Sequence, residues 1–256
     1  MVTDVQNYVK ACEICKGNKT QNAFHKPLMG KQRVTERPFQ RLFIDFMGPY
    51  PRTSCGNVYV FVCLDHFSKF VSLKPTRKAT AAEVIKFLEN EVFHIFGVPE
   101  YVHSDNGKQF VADIFSQFLE KYGAQHIRTA FYSPQANAAE RVNRSVLQTV
   151  RSYIKGQKNW DKHLSDAAFA LRSAVHSAIN DTPYHAVFGM PMIQHAASHE
   201  LYRRLYAVRD ADCEVEMLAD KTQLIRNKIM KELKLAHERS KKTYNTRSRE
   251  VKFQIG

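Results

Sequence analysis

The stretch FQRLFIDFMGP, Phe39 to Pro49, decides the fold. Leu42 to Phe46 form an apolar run that only Asp45 interrupts, and the Gly48-Pro49 pair follows as a turn signal. A short apolar run bounded by a turn is typical of a buried strand. We therefore expect a core strand here, with Asp45 at its end.

Four more strands are predicted downstream of this stretch. The residues NVYVFVCLDHFSKFVSLKPT, 57–76, contain the runs Val58–Leu64 and Lys69–Leu73 joined by a turn-like segment, which predicts a hairpin. EYVHSDNG predicts a short strand that ends on Asp105, and AQHIRTA, 124–130, predicts a fifth. The strands come first as a meander and then alternate with helices, an order that favours one mixed five-stranded sheet.

Helical patterns fill most of the remaining chain. Thr80 and Glu83 have the spacing of a capping box, and they open a helix that Gly97 ends. Gly123 ends a second amphipathic helix, and DTPYHAVFGMP, 181–191, is interpreted as a turn. The other predicted helices cover residues 139–156, 159–180 and the long stretch Asp210–Arg239. The expected fold class is α/β, with helices on both faces of the sheet and a helical C-terminal extension.

Composition narrows the class of protein and its partner. The formal net charge of +13 over 256 residues favours a polyanionic partner, with nucleic acid first. The surplus is densest at the two ends of the chain, and Arg239–Gly256 holds six basic residues and one acid. The longest apolar run, Val58–Leu64, is too short to span a bilayer. The first fifteen residues lack the pattern of a secretory signal, so we expect reduced cysteines and a place in the cytosol or nucleus.

Three acids occupy comparable positions in this predicted architecture. Asp45 and Asp105 lie at strand ends, and Glu140 opens the helix that follows the fifth strand. Ligands of mixed α/β sheets collect at strand ends and neighbouring helix N-termini, so these acids can converge. Convergent carboxylates need a cation, and a set of hard oxygen ligands suits Mg²⁺ or Mn²⁺, as two ions in a phosphoryl-transfer site. Singly, each aspartate is more often a turn or cap residue, and a glutamate in a first turn usually favours the helix dipole.

Several motifs in order resemble one family. LFIDFMGP, HSDNGKQF and YSPQANAAERVNR, with DHFSKFVSLKPT between the first two and TPYHAVFG after the last, resemble the catalytic core of retroviral and Ty3/gypsy-type retrotransposon integrases. That family has a ribonuclease H-like fold and an Asp, Asp, Glu metal triad. The resemblance runs from about Val5 to Gly256, which is nearly the whole chain.

The resemblance implies a site and an activity. Asp45, Asp105 and Glu140 take the place of the triad. The implied activity is metal-dependent processing of the 3′ ends of element DNA, followed by strand transfer into target DNA. The segment before Glu140 resembles the mobile active-site loop of the family, although NAAER is one residue shorter than the commonest form. The residues that we expect to contact nucleic acid are Pro134, Gln135, Asn137, Arg141, Arg144 and Arg151.

The ends of the chain resemble parts of further family domains. Cys12 and Cys15 match half of a His-His-Cys-Cys zinc domain, but residues 1–11 contain no histidine. Two thiolates do not close a tetrahedral site, so we expect no zinc in this chain alone. The expected organisation is a remnant of the zinc domain and a linker (1–37), a catalytic core (38–195) and a basic helical extension (196–256), truncated at both ends. We also expect a homo-oligomer, a DNA partner, no membrane association, and a nuclear location after passage through the cytoplasm.

Two other functions fit some of the same residues. The chain could be a non-catalytic remnant of a retrotransposon integrase that binds nucleic acid without joining it. A ribonuclease H that cuts RNA–DNA hybrids would share the fold and the ions. The Pro134-Gln135 loop and the arginine-bearing helix favour the integrase over the ribonuclease H.

Overall fold

The computed structural model describes residues 35–129, 159–206 and 215–246, with the backbone alone at 204–206 and 215–221, and four residues near the start, Thr3, Tyr8, Ala11 and Cys12. The chain divides into two compact units. One unit is Gln32–His237, and the other combines Met1–Lys31 with Glu238–Gly256. The sheet and the candidate site lie in the first unit. The boundaries predicted at residues 37 and 195 stay a prediction.

Five strands form one mixed sheet in the order β3-β2-β1-β4-β5. The strands β1, β2 and β3 pair antiparallel as a meander, and β4 and β5 continue the sheet parallel to β1. The bounds are β1 Arg41–Met47, β2 Tyr59–Asp65, β3 Val71–Thr76, β4 Tyr101–Ser104 and β5 Gln125–Arg128. The predicted mixed five-stranded sheet is confirmed.

The helices of the described part of the chain cover both faces of the sheet and continue past it. A helical run between β3 and β4 consists of α1, a π-helical segment and α2. Two helices, α3 and α4, separate β4 from β5, and a 3₁₀ turn opens the helical region after residue 158. The bounds are α1 Ala81–Phe87, π segment Leu88–Phe93, α2 His94–Phe96, α3 Lys108–Val111, α4 Asp113–Tyr122, 3₁₀ turn Trp160–His163, α5 Leu164–Ser173, α6 Pro183–Phe188, α7 Ser198–Tyr206 and α8 Val215–Asn245.

Alternation along the strands builds a core on each face of the sheet. Leu42 and Ile44 of β1 belong to a large cluster with Val84 of α1 and Phe115 of α4. On β2, Cys63 belongs to the same cluster, whereas the alternate residues, such as Val62, belong to a second cluster that includes Trp160 and Leu164. Because successive side chains of a strand point to opposite faces, the sheet is buried from both sides.

The long helix α8 packs on the core through one apolar side. Ile229 and Leu233 lie buried in a small cluster with Phe67, Ile179 and Ala186. Lys228 Nζ lies 3.4 Å from Asp181 Oδ2, which adds an ion pair between α8 and the segment before α6. The predicted long helix is therefore present, and it extends past Arg239 to Asn245. None of the described helices is both long and apolar enough to cross a lipid bilayer.

Three local predictions were wrong. The second amphipathic helix is broken at Ala112, whose extended backbone separates α3 from α4. The predicted helix 159–180 stops at Ser173. The segment interpreted as a turn contains α6, which begins at Pro183 after the Thr182 hydroxyl accepts a hydrogen bond from the His185 N–H. Proline at the first helical position and a threonine cap are helix-start signals, and the sequence analysis assigned them to a turn.

Candidate active site

The strand β1 places the first candidate acid. Asp45 is the fifth of seven residues in β1 and pairs with Val62, so it lies inside the strand rather than at its end as predicted. Asp105 directly follows the last residue of β4, as predicted. The parallel register pairs Phe43 with His103, and continuing it by two residues sets Asp45 opposite Asp105. The two acids, 60 positions apart in sequence, therefore meet across one strand pair.

The charge of Asp105 acts on Asp45. The Phe43 and His103 rings contact each other with centroids 4.7 Å apart, which fixes the face to which these paired side chains point. Asp45 lies two positions further along β1 and returns to that face. Asp105 directly follows β4, and its charge raises the pKa of Asp45, so the two carboxylates lie near each other.

The surroundings of Asp45 give it little compensation for its charge. The carboxylate is half-buried and accepts one hydrogen bond, from the Phe46 N–H at 2.7 Å. Burial, followed by the negative charge of Asp105, raises the pKa of Asp45 from 3.8 to about 6. A cation placed between the two carboxylates would offset the repulsion between Asp45 and Asp105.

A tight turn presents Asp105 to solvent. Its carboxylate accepts a hydrogen bond from the Gly107 N–H at 2.9 Å, and the residue is exposed. A Cβ atom at Gly107 would lie 3.0 Å from Asp105 Oδ1 and would crowd the Gln109 side chain. Glycine at this position therefore keeps the approach to the carboxylate open.

Side chains tie this turn to β5. The Asn106 amide donates to the Thr129 carbonyl at 2.7 Å, and the Thr129 N–H donates to the Ser104 carbonyl at 3.0 Å. The Ser104 hydroxyl contacts His126 Nε2 at 2.8 Å and donates to the Asp105 carbonyl at 2.8 Å. Burial, and then the charge of Arg128, lowers the pKa of His126, which favours the neutral ring in this network. The Asp105 turn is thereby fixed beyond the point where the strand ladder ends.

The Asn106-Gly107 pair in the sequence predicts a turn that aims Asp105, and the hydrogen bond of the Gly107 N–H agrees with that prediction. The sequence carries no signal for the residues that anchor the turn, which are Ser104, Thr129 and His126. The parallel alignment of β4 and β5 brings them together, and a sequence without pairing information does not show that alignment.

The other predicted site residues fall outside the described residues. This applies to the third acid, Glu140, and to Cys15. It also applies to the predicted nucleic-acid contacts Pro134, Gln135, Asn137, Arg141, Arg144 and Arg151. Cys12 is described as partly exposed. Within the described ranges no three His, Cys, Asp or Glu side chains form a group that could hold a metal ion.

The described pair of acids has the chemistry of a site for a hard divalent cation. Asp45 and Asp105 supply carboxylate oxygens, which Mg²⁺ and Mn²⁺ prefer, and the pair has a surplus of negative charge. Magnesium is usually held by one or two protein carboxylates together with substrate phosphates and water. Asp45 and Asp105 would therefore supply the protein carboxylates of such a site.

Residues 35–134, which contain both acids, match the family model described as the integrase core domain. The resemblance to integrase catalytic cores is confirmed. Among solved structures, this chain resembles a chain of the simian T-cell lymphotropic virus intasome, determined in complex with PP2A regulatory subunit B56 gamma. The TM-score is 0.55 at 22% identity, and the match covers 77% of this chain and 70% of that chain. This likeness supports the fold.

Curated relatives of this chain come from a nematode and a yeast. An uncharacterized protein of Caenorhabditis elegans, K02A2.6, is 33% identical over 189 residues, which are 73% of this chain. The Transposon Tf2-3 polyprotein of Schizosaccharomyces pombe is 32% identical over 188 residues, or 72% of this chain. In each case the match covers 14% of the relative, so the chain spans a small part of the proteins that it resembles.

Proposed function

We propose that the chain performs DNA integration as a metal-dependent polynucleotidyl transferase. The reaction is processing of the 3′ ends of retroelement DNA and transfer of the resulting strands into target DNA. The observation that carries the proposal is the parallel pairing of β1 with β4, which brings Asp45 close enough to Asp105 for the charge of Asp105 to raise the pKa of Asp45. Glu140, which follows β5 along the chain, completes the proposed triad.

Each described residue has a definite task in this proposal. Asp45 provides a carboxylate fixed within the strand ladder, because Asp45 and both of its chain neighbours pair with β2. Asp105 provides a second carboxylate at an exposed turn, where DNA can approach. Gly107 keeps that approach free of a side chain. Divalent magnesium or manganese, bound as two ions, would supply activation of a water or 3′ hydroxyl and stabilisation of the leaving oxygen.

The remaining partners belong to the same proposal. The net charge of +13 supports an acidic polymer as substrate, and element ends and target DNA are the polymers that the family resemblance implies. We propose that the chain acts as a homo-oligomer in the nucleus. The predicted contacts Pro134, Gln135, Asn137, Arg141, Arg144 and Arg151 would lie beside the reacting strand.

A comparison of the parent chain with Glu140→Gln tests the proposal. We expect the parent to nick and join DNA, or to run the reverse disintegration reaction, in the presence of Mn²⁺. The variant should be slower by roughly 10³, because a metal supplies several kcal/mol of charge stabilisation. Equal rates for the two chains would remove Glu140 from the site.

The same assay separates the alternatives. DNA binding that depends on salt, without turnover by the parent chain, would support the non-catalytic remnant. Cleavage of RNA–DNA hybrids faster than joining of DNA would support a ribonuclease H.

A further inference from the structure

Two loops at the strand ends near Asp45 carry exposed basic residues. Arg52 lies on the loop after β1, and Arg77 and Lys78 lie on the loop after β3. The pairing of Met47 with Val60 and of Tyr59 with Thr76 brings these loops to the same edge of the sheet. The three basic side chains therefore lie beyond the strand ends nearest to the Asp45 and Asp105 pair.

The two loops form one firm structure. The Val58 N–H donates to the Thr76 carbonyl at 3.0 Å, and the Tyr50 N–H donates to the Val58 carbonyl at 2.7 Å. Arg77 Nε donates to the Cys55 carbonyl at 3.0 Å, and the residue is exposed. Because the backbone is already ordered, a ligand bound here would not have to order it.

The two loops that carry these residues contain no acidic residue of their own. Segments 48–58 and 77–80 contain no aspartate or glutamate. Within the part of the chain that the structure describes, Arg52, Arg77 and Lys78 form no ion pair. The acid that faces the loop, Asp161, accepts hydrogen bonds from Thr53 and Asn57, which lie on the loop itself.

We propose that Arg52, Arg77 and Lys78 form a binding surface for the phosphates of duplex DNA, here named the basic loop surface. The proposal rests on the proposed function and adds a contact outside the triad. Arg52 follows Asp45 by seven residues, so their Cα atoms are at most about 25 Å apart. That distance corresponds to about seven base pairs, so one duplex held at the carboxylates reaches the surface.

A salt titration of DNA binding tests the basic loop surface. Fluorescence anisotropy with a labelled DNA duplex is measured in EDTA, so that binding does not depend on divalent ions at Asp45 and Asp105. The variant Arg52→Ala/Arg77→Ala/Lys78→Ala should bind roughly tenfold more weakly, with a salt slope smaller by about 2 to 3. Arg52→Ala/Lys78→Ala keeps the contact of Arg77 with Cys55 and should reduce the slope by about 2.

The matched control removes the same charge elsewhere. Lys86, Lys231 and Lys234 are exposed on helices, and the variant that replaces all three with alanine also lowers the net charge by three. It should keep most of the affinity and slope of the parent. Equal weakening by the control and by the loop variant would overturn the proposal, because only overall charge would then matter. Loss confined to an RNA duplex would also overturn it.

Cysteine labelling locates the contact directly. Cys55 is exposed at the tip of the basic loop surface, and Cys63 is buried in β2. Bound duplex DNA should slow alkylation of Cys55 at least severalfold in the parent chain, and this protection should disappear in the triple variant. Cys63 should stay unlabelled in every folded variant, which separates a lost contact from unfolding. Unchanged labelling of Cys55 in saturating DNA would overturn the proposal.

The two proposals fail in different ways. A parent chain that binds DNA through this surface but joins none would refute the proposed catalysis and leave the surface intact. A chain that joins DNA with unchanged affinity in the triple variant would refute the surface alone.

Discussion

Asp45 and Asp65 lie on adjacent strands and differ in what surrounds them. Asp65 ends β2 at the opposite edge of the sheet, is 1% exposed, and accepts hydrogen bonds from the Phe39 N–H, the Ser68 N–H and the Ser68 hydroxyl. Buried Lys69 is its cationic partner. Asp45 has one donor and faces the like charge of Asp105.

The comparison separates a structural acid from a functional one. Burial raises the pKa of both carboxyl groups, but donors and a cation compensate Asp65 within the fold. Among the described residues, Asp45 has one donor and no cationic partner. An acid whose charge is balanced by its own chain stabilises the fold, whereas an acid beside another acid requires a cation from outside.

The largest expected effect comes from removing the charge of either site acid. Asp45→Asn or Asp105→Asn should lower Mn²⁺-dependent DNA joining by about 10³ and leave the free energy of unfolding equal or higher, because like-charge repulsion disappears. Joining rates and urea unfolding measured on the same preparations test this expectation. A variant that loses activity because it unfolds would show that these acids, like Asp65, stabilise the fold.

The same substitution at Asp65 should have the opposite profile. Asp65→Asn should lower the free energy of unfolding by about 3 kcal/mol, because it leaves the buried Lys69 without its counter-charge. The double variant Asp65→Asn/Lys69→Met should recover part of that loss in urea denaturation. A double variant no more stable than the single one would show that the pair is not the source of the cost.

A smaller effect is expected at the turn that positions Asp105. Asn106→Ala removes the hydrogen bond to the Thr129 carbonyl and should lower joining about tenfold while raising the Mn²⁺ concentration needed for half-maximal rate. Stability should fall by no more than about 1 kcal/mol. The control is Asn90→Ala, which removes a similar hydrogen bond, donated by the Asn90 side-chain amide to the Lys86 carbonyl on a helix. An unchanged Mn²⁺ requirement would reduce Asn106 to a structural residue.

The smallest effect concerns acid sensitivity at His176. Burial, and then the charge of Lys69, lowers the pKa of His176 from 6.5 to about 4. Between about pH 6.5 and pH 4, His176 is therefore protonated in the unfolded chain but neutral in the folded chain. The free energy of unfolding consequently decreases as the pH is lowered through this range. His176→Asn should remove on the order of 1 kcal/mol of the loss between pH 7 and pH 5. Identical pH profiles for parent and variant, measured by urea unfolding, would contradict this.

The sequence predicted the sheet because its signals are local. The apolar run around Ile44, the hairpin of β2 and β3, and Gly123, which ends α4 in the left-handed conformation, each identify their element without tertiary contacts. The predicted position of Asp45 at the end of β1 was wrong, because the ladder with β2 continues past Asp45 to Met47 and ends only at the turn signal of Gly48-Pro49.

The remainder depends on contacts that a sequence does not display. The capping box at Thr80 and Glu83 predicted the start of α1 correctly, yet the Thr80 side chain makes no capping hydrogen bond. The π segment places Glu91 beside Lys74 of β3 and Glu89 beside Tyr122 of α4. These pairings join distant elements, so neither periodicity nor propensity indicates them.

Trp160 turns one part of the molecule into an optical reporter. It is the single tryptophan of the chain, it is fully buried, and its indole N–H donates to the Pro51 carbonyl at 2.7 Å. That carbonyl belongs to the residue before Arg52, so the emission spectrum of the protein senses movement of this loop without any added dye. A red shift on addition of DNA would mean that the loop separates from the indole, and a constant spectrum would mean that DNA docks on a loop already in place.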